Sequence, residues 1–153
     1  MTHPTAHGFP RLTISLDSAR QLLAAAQQLA HRAGWAISVA VVDPSGTLVA
    51  FEKHDHAIGI SPEVAIGKAR TAALLQAPSG MFERFINQGQ PSFLATPGTT
   101  PLEGGIPLQW QAQFIGAIGV SGAHGANDTA IALQAARALG LDAATDADAR
   151  SNG

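Results

Sequence analysis

The chain has 153 residues, 46% hydrophobic and only 13% charged, about half of the roughly 25% charged share usual in soluble domains. That length supports one domain with a true hydrophobic core and is short for two. Nine basic against eleven acidic residues, with no dense Lys/Arg stretch, exclude a phosphate-binding stripe for nucleic acid, and the lack of cysteine excludes disulfides, thiolate metal sites and cysteine nucleophiles.

The first segment, MTHPTAHGFPRLTISL, has neither a basic n-region nor an apolar h-region, and no later apolar run approaches the ~20 residues that span a bilayer. No membrane partner is expected, and the expected location is cytoplasmic. Residues 1–11 read as a flexible N-terminus, 12–140 as a single domain and 141–153, which are small, polar and acidic, as a flexible tail. With so few charges for so many apolar residues, some surface is expected to be buried between subunits.

In chain order, Ser15 or Asp17 can cap a helix through ARQLLAAAQQLAHRA that stops at Gly34. WAISVAVVD and TLVAFEKH are strands around the turn Asp43-Pro44-Ser45-Gly46, forming a hairpin with Phe51 inward and Glu52 outward. Ser61-Pro62-Glu63 starts a helix that runs to about Gln76 and is stopped by Pro78, and Ser79 can cap a shorter helix ending near Gly89. Residues 90–103 read as a long loop with room for one short strand. GGIPLQW and QFIGAIGVSG have hairpin spacing, and Asn127-Asp128 opens a last helix to Leu139 with Gly140 at its C′ position. Strands arriving in hairpin pairs favour helices on the faces of an antiparallel sheet over a doubly wound parallel fold.

The run GAIGVSGAHGAND invites a nucleotide-binding reading, but the dinucleotide fingerprint needs G-x-G-x-x-G in a βαβ unit and the P-loop needs G-K-S/T. Neither occurs. Gly116 and Gly119 are better read as permitting a helix or a ligand to pack closely on bare backbone. At about 100° per residue, Lys68 falls with Val64, Ala72 and Leu75 inside an apolar arc, where a lysine either snorkels to the rim of the core or points into a pocket, to bind an anion, act as a base or pair with a carboxylate. Of six histidines, His3, His7 and His31 read as solvated, while His54 and His56 follow a strand end and His124 sits in the glycine loop. Two alternating histidines without a third ligand assign no metal. No G-x-S-x-G elbow surrounds Ser121, so a serine hydrolase is not expected. Glu63, Glu103 and Asp128 remain as acid or base groups, with Asp128 read first as a partner of its helix dipole.

The set LTISLDSARQLLAAA, SVAVVDPSGTLVAF, AIGKARTAA, GGIPL, GAIGVSG and ANDTAIALQAA, over residues 12–139, resembles the GlcG/HbpS family, also found as the C-terminal domain of PduO-type proteins. The resemblance implies an α/β fold of the α+β type, a profilin-like antiparallel sheet flanked by helices, in a homo-oligomer from dimer to octamer. It also implies links to haem binding or degradation and to catabolic operons for glycolate and propanediol. Carried over by position, Lys68, Gly104, Gly105, Ile106, Pro107, Gly119, Val120, Ser121 and Gly122 surround the family's pocket. Two features depart from the family pattern: Gln111-Ala112-Gln113 replaces an aspartate-glycine turn, and Gly122-Ala123 breaks a glycine pair and brings in His124.

Two functions are therefore expected as rivals. One is a binder of haem or a related tetrapyrrole, held by Phe51, Ile106 and Val120, with Lys68 for a propionate and a histidine for iron. The other is a cofactor-independent isomerase, hydratase or lyase of a small carboxylate, with Lys68 as anion site or base and His54, His56, Glu103 or His124 moving protons.

Overall fold

The computed structural model describes residues 6–143. Helix α1 (Leu16–Ala33) is capped by Ser15, whose hydroxyl accepts the Ser18 N–H at 3.1 Å, and ends at Gly34 in a left-handed conformation. Of the two capping residues expected, Ser15 is used, while Asp17 lies in the first turn and accepts from Gln21. Strands β1 (Ser38–Val42) and β2 (Leu48–Lys53) form the expected hairpin, closed by Asp43, whose carboxylate takes the Ser45 and Thr47 N–H groups.

Helix α2 (Ser61–Leu75) has Pro62 in its first turn and hands over to Gln76 in the left-handed region. Ser61 starts the helix without capping it. Its hydroxyl donates to the Ile58 carbonyl at 2.7 Å and accepts from Ser38, so the pair is buried and satisfied. Ser79, expected to cap α3 (Gly80–Asn87), makes no capping bond either. Its hydroxyl donates to the Leu102 carbonyl at 2.6 Å and accepts the Gly105 N–H at 2.8 Å, pinning the end of the long loop to the sheet. That loop holds one 3-10 turn (Pro91–Ala95) and no strand.

Strands β3 (Gly105–Trp110) and β4 (Gln113–Ser121) pair across a two-residue turn in which Gln111 and Ala112 both take positive φ, 51° and 62°. Positive φ at both positions is the hairpin geometry normally given to Asn-Gly, achieved here by residues with a Cβ. Helix α4 (Gly125–Ala138) starts two residues before the expected Asn127, with Gly140 closing its C-terminus as expected. A two-residue strand, β5 (Asp142–Ala143), pairs with β3 in the stretch assigned to the tail; residues 144–153 lie outside the described residues, as do 1–5.

The five strands form one antiparallel sheet in the order β2-β1-β4-β3-β5, with α1 and α4 on one face and α2 on the other, which is the α+β architecture expected. The α1/α4 side is filled by large side chains, among them Leu22, Ile37, Val39, Ile106, Ile118 and Val120. The α2 side is built from alanine and valine: Ala40, Val42, Ala65, Ala69, Ala72, Ala73 and Ala117. Small residues bring α2 so near the sheet that a Cβ on Gly119 would strike the Ala65 carbonyl and the Ala69 nitrogen, and one on Gly105 would strike the Lys68 carbonyl. Gly105 and Gly119 are thus filled by helix backbone, with no space left there for a ligand. We predict that Gly119→Ala lowers stability by about 1–3 kcal/mol through overpacking, read as a shifted denaturation midpoint. Gly59→Ala, whose Cβ meets nothing within 4 Å, should leave that midpoint unchanged.

Candidate functional site

Lys68 lies on the sheet-facing side of α2 and is only 3% exposed. Its ammonium donates to the Val120 carbonyl at 2.9 Å and to Asp128 Oδ2 at 3.1 Å. Asp128, 2% exposed, accepts the Ala123 N–H on its other oxygen at 2.8 Å. Of the roles open to a lysine in an apolar arc, the ion pair is therefore the one realised. Asp128 is correspondingly more than a partner for its helix dipole: it joins the first turn of α4 to α2 and to the end of β4. Gly104 makes room for the pair, since a Cβ there would sit 2.9 Å from Lys68 Nζ and 2.7 Å from the Val120 carbonyl oxygen.

Next to this buried pair a cleft of about 540 Å³ opens between α3, the start of β3 and the first turn of α4. Glu103, Gly104 and Ile106 line it, as do Glu83, Arg84 and Asn87 from α3, Gln88 at the end of that helix and Thr129 from α4. Glu103 Oε1 accepts the Thr129 hydroxyl at 2.8 Å, and the Glu103 N–H donates to Glu83 Oε2 at 3.1 Å. Each carboxylate is thus fixed through one oxygen, and among the described residues no donor engages the other. Thr129 follows Asp128 directly, so the Lys68–Asp128 pair sets the turn that holds Glu103.

The remaining candidates do not gather here. Phe51 packs on the α2 face with Ile66 and Phe114, whereas Ile106 and Val120 belong to the core on the opposite face. The pleat separates them, because Phe51 is opposite Ala40 and Val120 opposite Val39, adjacent residues of one strand. One ring cannot touch all three within a chain. Pro107 is buried in β3, and Ser121 ends β4 beside Ser38. Gly122 takes a φ of 124° and abuts the Ala36 carbonyl. His54 lines a shallow groove with Gln27, Gln28, His31 and Arg32 at the end of α1, and its ring lies 5.7 Å from that of His56. His124 is exposed, precedes α4 with a φ of 71°, and is not among the residues lining the cleft. Among the described residues no three His, Cys, Asp or Glu side chains form a metal-binding group, and no helix is long and apolar enough to cross a membrane.

The family model for the haem degrading protein HbpS-like group matches residues 14–137. The chain belongs to the HbpS-like family. Its relatives include GlcG of Escherichia coli strain K12, 38% identical over 111 residues that cover 72% of this chain and 83% of GlcG. A double mutant of HbpS from Streptomyces reticuli superposes with a TM-score of 0.80 at 29% identity, covering 91% of this chain and 95% of that one. A PduOC–heme complex shares the fold, with a TM-score of 0.78 at 24% identity over 86% of this chain and 98% of its own.

Within this HbpS-like chain the α3 wall of the cleft is the part that sequence reading missed. Glu83 and Asn87, and beside them Arg84 and Gln88, repeat at a spacing of four, which stacks them along a helix. Phe82, Phe85 and Phe93 pack together in an aromatic cluster joining α3 to the 3-10 turn, with ring centroids 4.7–6.1 Å apart. The polar repeat was the available signal. For the buried pair, Lys68→Met is expected to cost about 3–5 kcal/mol by leaving Asp128 unpaired. Lys68→Met with Asp128→Asn should recover a large part of that loss, since Asn still accepts from Ala123; strictly additive losses in a denaturation cycle would show the pair to be uncoupled.

Proposed function

We propose that the protein binds haem or a related tetrapyrrole in the cleft bounded by Glu83, Arg84, Glu103 and Ile106, and acts in tetrapyrrole degradation. The match of residues 14–137 to a family described as haem degrading is the observation that carries this reading. The cleft volume of about 540 Å³ agrees with it, lying inside the roughly 300–1,000 Å³ of small-ligand sites. PduOC, a protein of the same fold, has a heme complex.

The lining fits the periphery of such a ligand better than its metal. Arg84 has the chemistry to receive a propionate, and Ile106 supplies apolar wall. Among the described residues, however, no His, Cys, Met or Tyr lines the cleft, so it contains none of the usual axial ligands of haem iron. His54 is an unsuitable substitute in this conformation. Its Nδ1 accepts the His56 N–H at 3.0 Å, which leaves the proton of the neutral ring on Nε2 and no lone pair there for a metal.

Titration with haemin tests the reading. The Soret band should shift and saturate with added protein, and a spectrum identical to that of free haemin would overturn haem binding.

A second reading, a cofactor-independent enzyme acting on a small carboxylate, is favoured by one observation: Glu103 stands in the cleft as an anchored carboxylate able to move a proton. Lys68, engaged by Asp128, takes no part in it, and Arg84 replaces it as the cation lining the site. Assembly into a homo-oligomer in the cytoplasm completes the proposal. It is supported by Ile58, Ile60, Leu74 and Leu94, each more than half exposed. Light scattering should give a mass that is a multiple of the 15.7 kDa chain, and a single chain mass would refute assembly.

A further inference from the structure

Resting on the tetrapyrrole reading above, we propose that the ligand of the cleft is an open-chain, iron-free tetrapyrrole, the class of product that oxidative ring opening of haem yields. The polar groups of the lining are matched to donors that haem does not have. In haem all four pyrrole nitrogens are bound to iron and carry no hydrogen. A flat metalloporphyrin laid over Glu83 and Glu103 would strip water from two carboxylates and give nothing back, a cost that buried acceptors without donors do not tolerate.

An open-chain tetrapyrrole reverses each of these terms. Its pyrrole and lactam N–H groups are hydrogen-bond donors. Glu103 Oε2 and Glu83 Oε1 are the oxygens left without a donor among the described residues, because Thr129 holds Glu103 Oε1 and the Glu103 N–H holds Glu83 Oε2. Its terminal lactams each carry one acceptor and one donor, the pattern that the side-chain amides of Asn87 and Gln88 complement at the C-terminal end of α3. Its propionates match the chemistry of Arg84. The missing iron ligand in the lining is then no defect, since there is no iron to hold. A flexible ligand also suits a cleft that is open along one side better than a rigid disc does.

Fluorescence quenching and absorbance titrations of the full-length protein with biliverdin and with haemin test this directly. Biliverdin is expected to bind at least tenfold more tightly than haemin. Glu103→Gln, which keeps the shape and removes the charge, should weaken biliverdin at least tenfold without weakening haemin, and Glu83→Gln provides a second variant should the first fold poorly by circular dichroism. Haemin binding as tightly as biliverdin, or biliverdin binding indifferent to both variants, would overturn the proposal. Haemin bound with a shifted Soret band while biliverdin stays free would overturn it and leave tetrapyrrole binding standing. Failure of both ligands to bind would overturn the two together.

Discussion

The ion pair between Lys68 and Asp128 is the constraint on which the rest of the site depends. Three elements meet at it: α2 supplies the ammonium, β4 the Val120 carbonyl, and α4 the carboxylate, which also receives the Ala123 N–H. Charges this deeply buried are tolerated only when each is paired and hydrogen-bonded, so the pair fixes one arrangement of the three elements more than it adds net stability. Because Thr129 is the next residue after Asp128, the same arrangement delivers the hydroxyl that holds Glu103 at the cleft. A lysine that looks catalytic in the sequence thus acts one step behind the surface a ligand would meet.

Close approach of α2 to the sheet is the second constraint, and it follows from the small residues on both sides. Alanines on α2 and glycines on β3 and β4 let helix backbone lie against strand backbone, which is what brings Lys68 within reach of Val120. The opposite face carries the large aliphatic side chains and most of the conventional core. The two faces therefore differ in purpose: one supplies hydrophobic burial, and the other supplies the short distance that the buried pair requires. Thr100 extends the same logic to the long loop, its side chain occupying the place beside α2 that Gly67 leaves open, with its N–H donated to Thr71 at 2.7 Å.

Glycine-rich sequence near a strand end is easily taken for a ligand cradle. Here Gly116, Gly119 and Gly122 are each filled by protein: the Val42 carbonyl, the backbone of α2 and the Ala36 carbonyl. The cleft lies one layer away, walled by α3, whose contribution is visible in the sequence only as two polar pairs at a spacing of four. The histidines that draw the eye in KHDHAIG and VSGAHG lie outside that lining, His54 at the far end of α1 and His124 on the solvent side of the turn into α4.

Local rules were enough to read the elements in this sequence. The cap at Ser15, the stops at Gly34 and Pro78, the Asp43 turn and the hairpin order follow from interactions within a few residues, and the resemblance in motif order extended them to the fold. The burial of Lys68 was also legible, because helical periodicity is local. Its partner was not, since Asp128 lies 60 positions away and only the packing of α4 against the sheet brings it there. The same reason separates Phe51 from Val120, through the alternation of the pleat, and makes Ser61, at a helix start, and Ser79, expected as a cap, into links between distant segments. Sequence determined which side chains are apolar, charged or free to turn; tertiary structure decided which of them face one another, because that choice depends on contacts no local pattern encodes.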